Sequence, residues 1–103
     1  MNIKNELIQR IDYLLSTSNE FNVYNRNLLL IERKDCDFRF VDEVYYNNNL
    51  VFVVRYSSFV RVELNTNNRY IIKECLDCLK DCVAYEEGKE NEALRILKEE
   101  YSK

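Results

Sequence analysis

The stretch LVFVVRYSSFVRVEL, residues 50–64, decides how the fold is read. It is rich in Val, Phe and Tyr, a composition that suits a pleated, half-buried surface. Leu50, Phe52, Val54, Tyr56, Val60, Val62 and Leu64 share one parity, so an extended chain places them on one face. The opposite parity begins apolar, at Val51 and Val53, and ends polar, at Arg55, Ser57, Arg61 and Glu63. Strands commonly run about 5–6 residues. Two strands turning near Ser57-Ser58-Phe59, with Tyr56 opposite Val60, are therefore preferred; one bent strand would give the same inward set.

Upstream, Asn47-Asn48-Asn49 is the strongest turn signal, because Asn tolerates positive φ and bonds its own backbone. Pairing Tyr46 with Leu50 across it puts Phe38, Phe40, Val44 and Tyr46 on the same face as Phe52, Val54 and Tyr56, as a hairpin requires. Asp42 falls on that inward parity, opposite Val54: either the register is wrong there or a site lies near the open end of the sheet. Asp35-Cys36-Asp37 reads as a turn, residues 27–34 as a preceding strand, and residues 21–26 as a short extended piece.

The flanks read as helices. Asn2 is placed to cap a first helix carrying Ile3, Leu7, Ile8, Ile11, Leu14 and Leu15 at helical spacing, ended by Ser16-Thr17-Ser18-Asn19. Downstream, Asn65-Thr66-Asn67-Asn68 breaks the strand and supplies a cap. Residues 69–87 then present Ile72, Leu76, Leu79 and Val83 on one ridge and Ile71, Cys75, Cys78, Cys82 and Tyr85 on the next. Gly88 suits the position just past a helix end, and a last helix over residues 89–102 would bury Ala93, Leu94, Leu97 and Tyr101. The expected fold is a single α+β domain over residues 1–103: an N-terminal helix, an antiparallel four-stranded meander and two C-terminal helices. With every helix on one face, Val41, Tyr45, Val51 and Val53 form an apolar patch on the other.

Composition narrows function mainly by what it lacks. The 103 residues contain no His, which removes the commonest general base, and one Gly, which leaves neither a P-loop nor a dinucleotide fingerprint. No apolar run of about 18 residues is present. Four Cys without a secretory signal point to reduced thiols in a bacterial cytoplasm. The net charge of −3 argues against a general nucleic-acid binder.

Cys75, Cys78 and Cys82, with Cys36 as a fourth, have the composition of a zinc site. Yet Cys75 and Cys82 stand roughly 10.5 Å apart along a helix, whereas thiolates sharing one zinc lie within about 4 Å. Buried thiols are the reading, with no cofactor or metal expected. The remaining candidates are partner-binding residues. Asp35, Asp37, Asp42 and Glu43 crowd the second turn and strand, and Glu74, Asp77 and Asp81 lie on the outer face of the long helix. Tyr45 beside the Asn turn offers the rigid, amphipathic area favoured in interfaces. Carboxylate runs of this kind are most often a solvated surface; the alternative reading is a negative field aimed at a basic protein partner.

The chain resembles the small acidic phage proteins that inhibit CRISPR nucleases. The similarity lies in size, in the opening Met1-Asn2-Ile3 leading into an amphipathic helix, in strands followed by helices, and in the acid-rich second half. The resemblance implies a cytoplasmic, non-enzymatic inhibitor in which Asp35, Asp37, Glu74, Asp77 and Asp81 imitate DNA phosphates on a nuclease. The chain departs from that pattern in its fifteen Lys and Arg, which dilute the field. Two other readings are an immunity or antitoxin protein, and a structural or regulatory homodimer joined through the apolar sheet face.

Overall fold

The computed structural model describes residues 3–17, 28–37 and 39–101. Helix α1 (Ile3–Thr17) is followed by strands β1 (Leu29–Cys36), β2 (Arg39–Tyr46), β3 (Asn49–Tyr56) and β4 (Val60–Leu64), and then by helix α2 (Arg69–Tyr101). The strands form one antiparallel sheet in the order β1-β2-β3-β4. The α+β meander expected from the sequence is present. The expected Asn2 cap, the extended piece at 21–26 and Phe38 lie outside the described residues.

The register from Val44 onward is the expected one: Val44 faces Phe52, Asp42 faces Val54, Phe40 faces Tyr56, and Tyr56 faces Val60 across the second hairpin. The Asn turn itself is tighter than expected. Asn47 and Asn48 have φ of 50° and 65°, the paired positive values of a two-residue hairpin turn that Asn adopts readily. Tyr46 therefore pairs with Asn49 and Tyr45 with Leu50, and a bulge at Val51 restores the inward register by Val44–Phe52. The bulge exchanges two side chains. Leu50 leaves the inward face and pairs beside Tyr45, while Val51 turns in and is fully buried. The chain beyond β4 fastens this spot, because Asn65 donates its backbone N–H to the Val51 carbonyl at 2.9 Å.

Both helices pack on one face of the sheet. Leu7, Ile11 and Leu14 of α1 and Cys75, Leu79 and Cys82 of α2 share one core with Leu29, Ile31, Val44, Val51, Phe52 and Val54. Burial of each such Leu or Ile stabilises by about 1.5–3 kcal/mol. Asn68 caps α2 as expected, accepting from the N–H groups of Tyr70 at 3.0 Å and Ile71 at 3.3 Å.

The two expected C-terminal helices are one. α2 runs unbroken for 33 residues, about 50 Å. Gly88 does not take the left-handed conformation that ends a helix. A mid-helix Gly costs only about 1 kcal/mol relative to Ala, no Pro exists to stop the chain, and residues 89–101 are mostly good helix formers. Its second half outruns the sheet, giving the molecule principal extents of 54 × 34 × 29 Å. Ala93, Leu94, Leu97 and Tyr101, expected to be buried, are exposed, and so is every residue from Glu87 to Tyr101. No helix among the described residues is long and apolar enough to cross a membrane.

Candidate functional site

The inward-facing Asp42 belongs to a network and not to a register error. Its side chain has no exposed surface. Arg33, directly opposite on β1, donates Nε–H to Oδ1 at 2.7 Å and an Nη2–H to Oδ2 at 2.8 Å. The Tyr56 hydroxyl donates to Oδ2 at 2.8 Å. Arg33 also reaches Asp12 of α1 at 2.8 Å, tying that helix to the sheet. The guanidinium lies 4.5 Å from the Phe40 ring centre, and Phe40 stacks on Tyr56 at 4.2 Å. Burial, and then the bond to Asp42, push the Tyr56 pKa up, so the phenol keeps its proton and remains a donor. Asp42 was expected to contact a partner; fully enclosed and holding three bonds, it cannot present its charge outward. Arg33 went unnoticed in the sequence. Its signal was parity: it shares a face with Leu29 and Ile31, a cation at an inward position matching the anion at Asp42.

The other side of the sheet carries no helix among the described residues. Its charges cancel. Lys34 pairs with Glu43 and Glu32, Arg55 with Glu63 at 3.3 Å, and Arg61 with Glu63 at 3.9 Å. Glu43, expected to face a partner, is thus neutralised by Lys34. Tyr45 stands half-buried between Leu30 and Leu50 in the strand register. The expected patch of Val41, Tyr45, Val51 and Val53 is smaller than the alternation implied: the bulge turns Val51 into the core, and Val53 is only 7 % exposed.

Of the seven carboxylates expected to face a partner, five have no ion pair among the described residues, and neither do Glu6, Glu87, Glu90, Glu92 and Glu100. Asp35 and Asp37 are exposed at the end of the β1–β2 hairpin, where Asp37 has φ 35°. Glu74, Asp77 and Asp81 follow one another along the outer side of α2, about 10.5 Å from first to last. Glu74 is half-buried and accepts a long hydrogen bond from the Tyr46 hydroxyl, 3.4 Å, beside a shallow cleft lined by Asn49 and Tyr70. Asp77 and Asp81 are exposed. Among the described residues none of the five has a Lys or Arg nitrogen within 4.0 Å. The hairpin pair and the helix row form two separate clusters in the chain.

The three thiols of α2 do not gather at one point, although Cys78 is hydrogen-bonded to Cys82 one turn on. Cys75 and Cys82 point into the core and Cys78 is half-buried beside them. Burial raises the Cys75 and Cys78 thiols to about 12. Among the described residues, no three Cys, Asp or Glu side chains gather as a metal ion would require.

Comparison with known proteins finds no matching family model, no matching curated protein and no matching solved structure.

Proposed function

We propose that this chain is a small non-enzymatic binding protein, of the kind phages carry, that occludes a basic surface of a nucleic-acid-processing partner, as the CRISPR inhibitors it resembles do. The observation that carries the reading is the division of the carboxylates. Those on the open sheet face and in the core are matched by Lys or Arg, whereas Asp35, Asp37, Glu74, Asp77 and Asp81 are not. Charges left without an internal counter-ion are the ones a cationic partner can use, and they speed encounter as well as orient it. The same five residues are those the resemblance assigns to phosphate imitation. Asp42, the best enclosed acid among the described residues, is committed to Arg33 and Tyr56, which supports binding over acid–base chemistry.

Competition with DNA tests the proposal. The purified protein is titrated into guide-loaded CRISPR nucleases, and binding of their target duplex is followed at low salt. Loss of duplex binding with the wild-type chain, relieved when Asp35, Asp37, Asp77 and Asp81 are all changed to Asn, is the expected result. Duplex binding unaffected in every nuclease tried counts against nuclease inhibition. Equal potency of the neutralised variant counts against the carboxylates.

A further inference from the structure

The ladder between β3 and β4 fixes which way the β4 backbone points. Asn65 donates its N–H to the Val51 carbonyl at 2.9 Å, and Ser57 its N–H to the Phe59 carbonyl at 3.2 Å, each bond extending the β3–β4 register by one pair. Bonded and non-bonded pairs alternate along an antiparallel ladder. Between these two ends the bonded pairs are therefore Val53–Glu63 and Arg55–Arg61. Val60, Val62 and Leu64 turn their N–H and C=O groups the other way, to the outer edge of the sheet, where no strand lies among the described residues. β4 has no Pro and no bulge to turn this edge aside. None of its residues is buried, whereas β3 beside it has four buried in a row.

A row of outward backbone donors and acceptors selects a strand as its occupant, and the side chains select which strand. We infer that two copies of this chain join their β4 strands antiparallel about Val62, so that one sheet runs through both. Outward groups must meet outward groups. Val60, Val62 and Leu64 therefore face one another, and Arg61 and Glu63 fall between them, at the non-bonded positions where opposed side chains are closest. Centred on Val62, the pairing sets Arg61 of each copy opposite Glu63 of the other, Val62 opposite Val62, and Val60 opposite Leu64. Leu64, which is 60 % exposed, thereby gains an apolar neighbour on the helix-covered face. Arg61, whose own Glu63 lies 3.9 Å away, gains a second carboxylate directly opposite. Centred one residue earlier, the pairing would set Arg61 on Arg61; centred one residue later, Glu63 on Glu63. The strand is thus complementary to itself about Val62, as a two-fold interface requires. A seam this short falls at the small end of specific interfaces, and the dimer is correspondingly weak.

Sedimentation equilibrium of the full chain over micromolar to millimolar concentration tests this without any other partner, independently of the proposed inhibition. The wild-type chain should pass from monomer to dimer. Arg61→Glu and Glu63→Arg each set like charges opposite one another; either alone should weaken association roughly tenfold or more and leave the circular dichroism of the monomer unchanged. An equimolar mixture of the two variants should recover dimers, because every opposed pair is then of unlike charge, and so should the doubly substituted chain. Amide hydrogen exchange locates the seam. The N–H groups of Val60, Val62 and Leu64 should slow as concentration rises, while those of Arg61 and Glu63, already bonded to β3, should not change. A wild-type chain monomeric at millimolar concentration, single variants that associate as the wild type does, neither mixture nor double variant recovering dimers, or a dimer in which the Val62 amide exchanges as fast as in the monomer would each overturn the inference.

Discussion

Arg33 grips Asp42 with two parallel N–H···O bonds, 2.7 and 2.8 Å long, on the face of the sheet that the helices cover. The Asp42 side chain is wholly enclosed while that of Arg33 keeps 27 % of its surface exposed. The pair is therefore asymmetric: removing the cation abandons a buried charge, whereas removing both frees the core of any charge. Arg33→Met should lower the unfolding free energy by roughly 3–5 kcal/mol. Adding Asp42→Leu to it should restore most of that loss. Urea unfolding of the two single variants and the double reads this directly. A double variant no more stable than Arg33→Met would mean that the bonds themselves carry the stability.

The thiols give a pH dependence with a definite sign. An unfolded Cys ionises near its ordinary value of 9, whereas folded Cys75 and Cys78 hold their protons to about 12. The unfolded state thus releases protons first as the pH rises, and stability is full below about pH 9 and declines from there toward pH 12. Tyr56, likewise raised by burial, acts in the same direction. Unfolding midpoints at pH 8 and pH 10.5 should differ accordingly, and Cys75→Ala should flatten the difference. The protonated thiols should also alkylate slowly at pH 8 in the native protein.

Gly88 stands inside a continuous helix with nothing within 4 Å of the place a Cβ would occupy. Gly88→Ala should therefore stabilise the protein by about 0.5–1 kcal/mol. A thermal scan with an unchanged or lower midpoint would indicate that the helix bends or ends at that residue in solution.

Val54 and Leu79 are both fully buried on the helix-covered face. Val54→Asp or Leu79→Asp should each abolish cooperative unfolding, because each introduces a carboxylate with no partner into the core. A sharp near-native transition for either would contradict the packing.

Much of this was legible in the sequence for a simple reason: alternation and turn chemistry are local. The parity of Phe52, Val54 and Tyr56, the Asn pair with its tolerance of positive φ, and the Asn68 cap each depend on a few neighbouring residues. What was misread depends on something further away. The two-residue turn with its bulge, in place of a three-residue loop, comes with a contact from outside the hairpin: Asn65, just past β4, donates its N–H to the Val51 carbonyl. The termination expected at Gly88 rested on the preference of Gly for the position just past a helix end, whereas α2 continues through favourable residues beyond the sheet. Asp42 was recognised as out of place, yet its meaning required Arg33, nine residues earlier and directly across the strand pair. Of the carboxylates expected to face a partner, Asp35, Asp37, Asp77 and Asp81 are exposed, Glu74 is half-buried, and Asp42 and Glu43 are neutralised by cations that only the strand pairing brings near.

The most direct measurement for the proposed function is the association rate between this protein and a nuclease that it displaces from DNA, taken at low and high salt. The wild-type chain should associate fast at low salt and slow steeply as salt rises, while the Asp35→Asn, Asp37→Asn, Asp77→Asn, Asp81→Asn variant, equally folded, should associate slowly at both. Rates for wild type and variant that coincide at low salt would contradict a role for these carboxylates in partner capture.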